Sequence, residues 1–149
     1  MRYYTHLAFG FLVGLLTYKL VPINTYIFFF IVLLGALLPD VDCPNSKFNQ
    51  KVKITKIIGY LFKHRGIFHS IFLAILLPGI IWLVIGPLYG VALFIGYMSH
   101  LLIDGLTLAG VNFLHPLTTL RIHGFIKTGG FLEKAVFVLI VVGIGFTLI

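Results

Sequence analysis

Residues 22–42 read PINTYIFFFIVLLGALLPDVD. The seventeen residues from Pro22 to Leu38 carry no charge, and beyond Pro39 the chain presents two carboxylates, Asp40 and Asp42. A helix needs roughly 17–25 apolar residues to cross the hydrocarbon core of a bilayer. Proline lacks the backbone donor that would carry the helix on, so the run closes at Pro39. The stretch therefore reads as an apolar helix with acidic groups at one end.

Four more apolar runs of comparable length lie on either side of it. They cover residues 3–20, 68–85, 88–103 and 131–149, with Gly86-Pro87 making the turn between the third and fourth runs. The expected fold is all-α: a polytopic membrane helix bundle with about five transmembrane helices. It forms a single membrane-embedded domain over residues 1–149. Gly10 and Gly14 form a small-xxx-small pair, which suits close helix packing. Between the second and third runs, Ile54, Ile57, Ile58, Leu61 and Phe62 share one helical stripe, with Lys51, Lys53, Lys56 and Lys63 mainly off it. That spacing predicts a basic amphipathic helix lying in the headgroup region. Residues 106–130, broken by Gly110, Pro116, Gly124 and Gly129-Gly130, form a long loop, with a short hairpin expected around Gly124.

Composition agrees. Hydrophobic residues make up 60% and charged residues 10% of the chain, and mean hydropathy is +1.10. A soluble domain of this size needs far more polar surface. Eleven Lys and Arg stand against four Asp and Glu. They fall in loops between apolar runs rather than on one soluble basic face, so nucleic acid is not the favoured partner; anionic lipid headgroups are. Cys43 is the single cysteine, which leaves no intrachain disulfide. No small-residue cleavage site follows the first run, which reads as a retained helix rather than a signal peptide. In a five-helix chain every Lys and Arg except Lys19 falls on one side, so the positive-inside rule puts the N-terminus in the cytoplasm of a multi-pass inner-membrane protein.

Every Asp and His falls on that same side. His6 begins the first helix, Asp40 and Asp42 end the second, His64 and His69 bracket the start of the third, and His100 and Asp104 end the fourth. A carboxylate buried at a membrane boundary costs several kcal/mol unless it is paired or holds a cation. Carboxylates with neutral imidazoles are the donor set of a divalent metal site. His100 and Asp104, four apart, share one helix face. The candidate metal ligands are His6, Asp40, Asp42, His69, His100 and Asp104. Zinc is the favoured metal, with manganese or magnesium as alternatives. His115 and His123 read as loop residues, and Glu133 as a helix-start residue favoured by the dipole.

Several motifs stand in order: Thr5-His6, Leu37-Leu38-Pro39-Asp40-Val41-Asp42, His64-Arg65-Gly66-Ile67-Phe68-His69-Ser70, and Gly96-Tyr97-Met98-Ser99-His100-Leu101-Leu102-Ile103-Asp104, followed by Leu106-Thr107 and Gly110-Val111. In this combination the chain resembles the YdjM-like family of predicted inner-membrane, metal-dependent hydrolases, over roughly His6 to Pro116. The resemblance implies a membrane fold, a metal and hydrolysis. It is also distantly similar to the zinc-dependent phospholipase C and single-strand nuclease class. One His-x-x-x-Asp pair is present here, so one or two metals are expected rather than three.

The expected function is a membrane-bound metal-dependent hydrolase acting on a phosphoester, a lipid headgroup or prenyl phosphate, at the cytoplasmic leaflet. The metal would acidify water and polarise a phosphoryl oxygen. Asp42 or Asp104 would take the proton, and Arg65 would face the phosphate. The alternatives are a non-catalytic metal- or lipid-binding membrane protein and an ion transporter. Transport is disfavoured because the charges sit at helix ends rather than at the bilayer midplane. A homo-oligomer is compatible with all three.

Overall fold

The computed structural model describes residues 1–42 and 67–149. The expected interfacial helix around Ile54–Phe62 lies outside these residues, as do His64, Arg65 and the Asp42 side chain. Five α-helices are present among the described residues: α1 (Tyr3–Thr17), α2 (Thr25–Leu37), α3 (Ile71–Val84), α4 (Pro87–Gly105) and α5 (Phe131–Leu148). No strand occurs among them, so the all-α expectation holds.

Local chemistry sets the helix ends. The Asn24 side chain accepts from the amides of Tyr26 and Ile27, starting α2 at Thr25, three residues later than the apolar run itself begins. Ser70 accepts from the Leu73 amide at the start of α3. Gly86, at φ +143°, makes the α3–α4 turn, and Pro87 occupies the first position of α4, where its missing N–H is not needed. Short 3₁₀ turns, Tyr18–Leu20 and Leu38–Asp42, extend α1 and α2, the second running through Pro39.

These caps shorten the helices relative to the apolar runs. Two helices, α4 and α5, are long and apolar enough to cross a membrane by themselves. The other three have 15, 13 and 14 residues. At about 1.5 Å per residue that is roughly 20–22 Å of α-helix, short of the roughly 30 Å core. The expected five helices are all present, and length alone qualifies two of them as spans.

Helix α4 is the hub. It packs against α1, α2 and α3, while α5 packs against α1. The α2–α4 contact is closest. A Cβ on Gly96 would lie 2.1 Å from the Val32 carbonyl oxygen, and one on Gly35 would lie 2.7 Å from that of Leu93. These glycines let the backbones meet as larger residues could not. Gly10 and Gly14 do the same for α1 on α2, facing Ala36 and Phe29. The outer surface is apolar: Leu16, Phe30, Leu83, Leu139 and Phe146 are each more than half exposed. A water-soluble monomer seldom presents so much of this surface.

The 106–130 loop differs from expectation. Its arms meet at isolated bridges, Val111 with Ile122 and Thr107 with Ile126. Gly124 therefore lies within an arm rather than at a hairpin tip. A Cβ there would be 2.4 Å from the Leu106 carbonyl oxygen, so the close approach explains the glycine.

Glu133 does more than begin α5. It is buried, and its carboxylate accepts from the Arg2 amide (2.6 Å), the Thr5 hydroxyl (3.1 Å) and the Gly129 amide. It ties the start of α1 to the start of α5. Glu133→Ala would leave buried donors unsatisfied, at a cost of about 2–4 kcal/mol. A lowered thermal midpoint in detergent, with Glu133→Gln falling in between, is the expected result. An unchanged midpoint would remove the tie's structural role.

Candidate metal centre

Successive helices in this bundle run in opposite directions, so the start of α1, the end of α2, the start of α3 and the end of α4 come to the same end. Each contributes donors. His6 lies in the first turn of α1, Asp40 in the 3₁₀ turn after α2, and His69 in the Ile67–His69 turn before α3; His100 and Asp104 sit in the last turns of α4. The turn Leu38–Asp42 packs against the turn Ile67–His69, which brings Asp40 to His69. Tyr97 of α4 donates its hydroxyl proton to the Phe68 carbonyl (2.6 Å) and holds the His69 turn against α4.

The five side chains converge. Asp104 Oδ1 lies 3.4 Å from His6 Nε2, and Asp104 Oδ2 lies 3.7 Å from His69 Nε2 and 4.0 Å from His100 Nε2. Asp40 Oδ1 lies 3.8 Å from His100 Nε2 and 4.0 Å from His69 Nε2. The His6 and His100 rings are stacked, with centroids 3.8 Å apart. His6, His69, His100 and Asp104 are fully buried, whereas the Asp40 side chain is 22% exposed and forms the cluster's opening. The Met1 amino group also pairs with Asp104 Oδ1.

These separations suit a shared cation better than hydrogen bonds. An N–H···O bond spans about 2.7–3.2 Å. Two ligands about 2.0–2.2 Å from a tetrahedral zinc lie roughly 3.3–3.6 Å apart, and farther at wider angles. Both ring nitrogens of His6, and Nε2 of His100, are buried with no hydrogen bond to them among the described residues. Such buried polar atoms are rare unless something else satisfies them.

His100 carries a further sign. Its Nδ1 lies 2.7 Å from the Ala36 carbonyl. A carbonyl can only accept, so Nδ1 holds the proton and Nε2 presents a lone pair to the cluster. Metal-ligating histidines are usually oriented in this way through their other nitrogen. Two overlapping donor groups result: His6, His100 and Asp104; and Asp40, His69 and His100. Asp104 faces both groups, one oxygen to each side.

Five of the six sequence-expected ligands thus meet, and the Asp42 side chain lies outside the description. His115 and His123 are in the 106–130 loop and outside both groups. Ser99 donates to the Gly96 carbonyl, and Ser70 donates to the Ile67 carbonyl while capping α3, so both hydroxyls serve local structure. Sequence reasoning missed the Ala36 carbonyl, because nothing in a backbone acceptor's identity marks it, and the Glu133 tie. The only hint of the tie was a Glu three residues past a glycine pair.

Residues 1–148 match the family model described as YdjM inner membrane protein. The chain is 40% identical over 93 residues to the inner membrane protein YdjM of Escherichia coli, covering 56% of this chain and 46% of that one. It is 34% identical over 105 residues to the uncharacterised protein YvsG of Bacillus subtilis, covering 68% of this chain and 66% of that one. The chain thus spans about half to two thirds of the length of these curated relatives. No solved structure matches it. With the match running from end to end and with the apolar helices above, the chain is a membrane protein and belongs to the YdjM inner membrane protein family.

Proposed function

We propose that this protein is a metal-dependent phosphoester hydrolase whose site lies at the cytoplasmic face of the inner membrane, in a multi-pass chain with its N-terminus inside. The observation that carries the reading is the convergence of three imidazoles and two carboxylates from four helix ends, with nitrogen–oxygen separations of 3.4–4.0 Å that suit a shared ion. When bound, a divalent cation supplies Lewis acidity toward a phosphoryl oxygen and toward water. His6, His69, His100, Asp40 and Asp104 are the proposed ligands. Ala36 keeps His100 in the ligating tautomer. His100 Nε2 is common to both donor groups, which favours about one zinc per chain.

The reaction balances as a hydrolysis. Water oxygen forms the new P–O bond, the ester P–O bond breaks, and the water proton passes to the departing alkoxide. Among the described residues Asp40 is the carboxylate of the cluster that reaches the surface, and it is suited to hold that proton in transit. Asp42 and Arg65 stay as sequence-based members, Asp42 as ligand or base and Arg65 toward phosphate.

The test is metal content together with hydrolysis of phosphoester lipids by the full chain in oriented vesicles. Expected are zinc retained through purification and headgroup release that a chelator abolishes. Release should occur when substrate is added to inverted vesicles but not to right-side-out ones. Hydrolysis unaffected by chelator rejects the metal reading. Retained metal without hydrolysis of any phosphoester favours a non-catalytic metal site. Equal rates from both faces reject the orientation.

A further inference from the structure

The 106–130 loop joins the end of α4 to the start of α5, the two helices long enough to span, so both of its ends lie at the membrane boundary on the side of the metal centre. It is braced from within. Asn112 Nδ2 donates to the Thr118 carbonyl (2.7 Å), and Val111 and Ile122 exchange backbone hydrogen bonds of 2.9 Å. The loop is also fixed to the elements that carry the metal donors. The Thr107 hydroxyl donates to the Asp104 carbonyl (2.7 Å), and the Ile71 amide of α3 donates to the Phe113 carbonyl (2.8 Å). Its outer surface is apolar: Leu117 is 75%, Leu120 78% and Phe125 73% exposed, and Phe131, which opens α5, is 82% exposed.

We propose that residues 114–125 form a lipid-binding surface that sits in the headgroup region of an anionic bilayer leaflet and holds the metal centre at that depth. Two opposed requirements select this occupant. The amides of Leu120, Arg121, His123 and Phe125 make no hydrogen bond among the described residues, so this backbone needs water or headgroups and does not belong in the hydrocarbon core. The exposed leucines and phenylalanine need an apolar phase and do not belong in bulk water. The bilayer boundary meets both needs. Charge then selects the lipid. Arg121, His123 and Lys127 are exposed among the apolar side chains, and no Asp or Glu occurs between Asp104 and Glu133. An apolar and basic surface without acids attracts anionic headgroups.

What the contact contributes is position. Thr107 and Phe113 tie the loop to α4 and α3, so the depth at which the loop meets lipid sets the height of Asp104 and of the His69 turn relative to the headgroups. This holds whatever chemistry the centre performs. The proposal does not rest on the hydrolase reading, and its test uses neither metal nor substrate.

The experiment is depth-dependent fluorescence quenching of the full chain in lipid nanodiscs holding a single copy. Cys43→Ser removes the native thiol, and Leu117→Cys, Leu120→Cys or Phe125→Cys then carries a polarity-sensitive label, with Leu139→Cys at mid-α5 as the control. All of these labelled positions are exposed, so the label leaves packing intact. In phosphatidylglycerol–phosphatidylcholine discs, lipids brominated near the headgroup should quench the loop labels several-fold more than lipids brominated near the chain end. Leu139→Cys should show the reverse order. Combining Arg121→Gln with Lys127→Gln, or using phosphatidylcholine alone, should lower the loop quenching and leave Leu139→Cys unchanged. Loop labels that aqueous iodide quenches and brominated lipid does not, or that are quenched as deeply as Leu139→Cys, overturn the proposal. So does loop quenching that is indifferent to phosphatidylglycerol. Loop quenching that disappears when a second copy shares the disc assigns the surface to protein and overturns it too.

Discussion

Asp104→Asn is expected to strip the protein of metal and lower chelator-sensitive hydrolysis by more than about 100-fold, since changes to the partners that merely orient ligands already cost about 10–100-fold. Asp104 faces both donor groups, Oδ1 toward His6 and Oδ2 toward His69 and His100. Asparagine keeps the shape, removes the charge and turns one acceptor into a donor aimed at imidazole nitrogens that the site needs as acceptors. The near-isosteric change separates ligation from packing. Helical content by circular dichroism should stay at the wild-type level while metal analysis reads little or no zinc. His6→Gln, on a different helix, should give the same split. Wild-type metal content and rate in Asp104→Asn would show that the cluster is held together by hydrogen bonds and charge alone.

Gly96→Val is expected to destabilise the fold by about 3 kcal/mol or more, at or above the upper end of ordinary overpacking. The Cβ alone would sit 2.1 Å from the Val32 carbonyl oxygen and 2.8 Å from its carbon, and both are backbone atoms that cannot rotate away. α2 and α4 would have to separate, carrying the Ala36 carbonyl away from His100, which lies one turn beyond Gly96. Loss of metal should therefore accompany loss of stability, although Gly96 is not a proposed ligand. Gly79→Ala is the control. Nothing lies within 4 Å of a Cβ there, so the change should be neutral or slightly stabilising, as alanine for glycine in a helix is worth roughly 0.5–1 kcal/mol. The readout is the unfolding midpoint in one detergent. Equal effects at the two positions would mean that the α2–α4 approach is not what closes the bundle.

The five helices were legible because each is an unbroken apolar run bounded by Pro, Gly or a polar cap, and such signals act within one run. The pairing of His100 with Asp104 was legible for the same reason, since four residues is one helical turn. So was the gathering of Asp and His at one end, because antiparallel neighbours return alternate ends to one side. Contacts between runs were not legible. The Arg2 amide and Glu133 are far apart in sequence, and the Ala36 carbonyl that orients His100 carries no side-chain signal. Helix lengths were overestimated because the apolar runs extend beyond the α-helices, before the Asn24 cap of α2 and through the 3₁₀ turn Tyr18–Leu20 after α1. α2 closes on α4 at Gly35 and Gly96, where the missing side chains let the two backbones meet. Apolar patterning determines that helices form and which residues share a face. Which helices touch, how closely, and what space they leave depends on side-chain volume summed over three helices at once, and only the packed structure decides that.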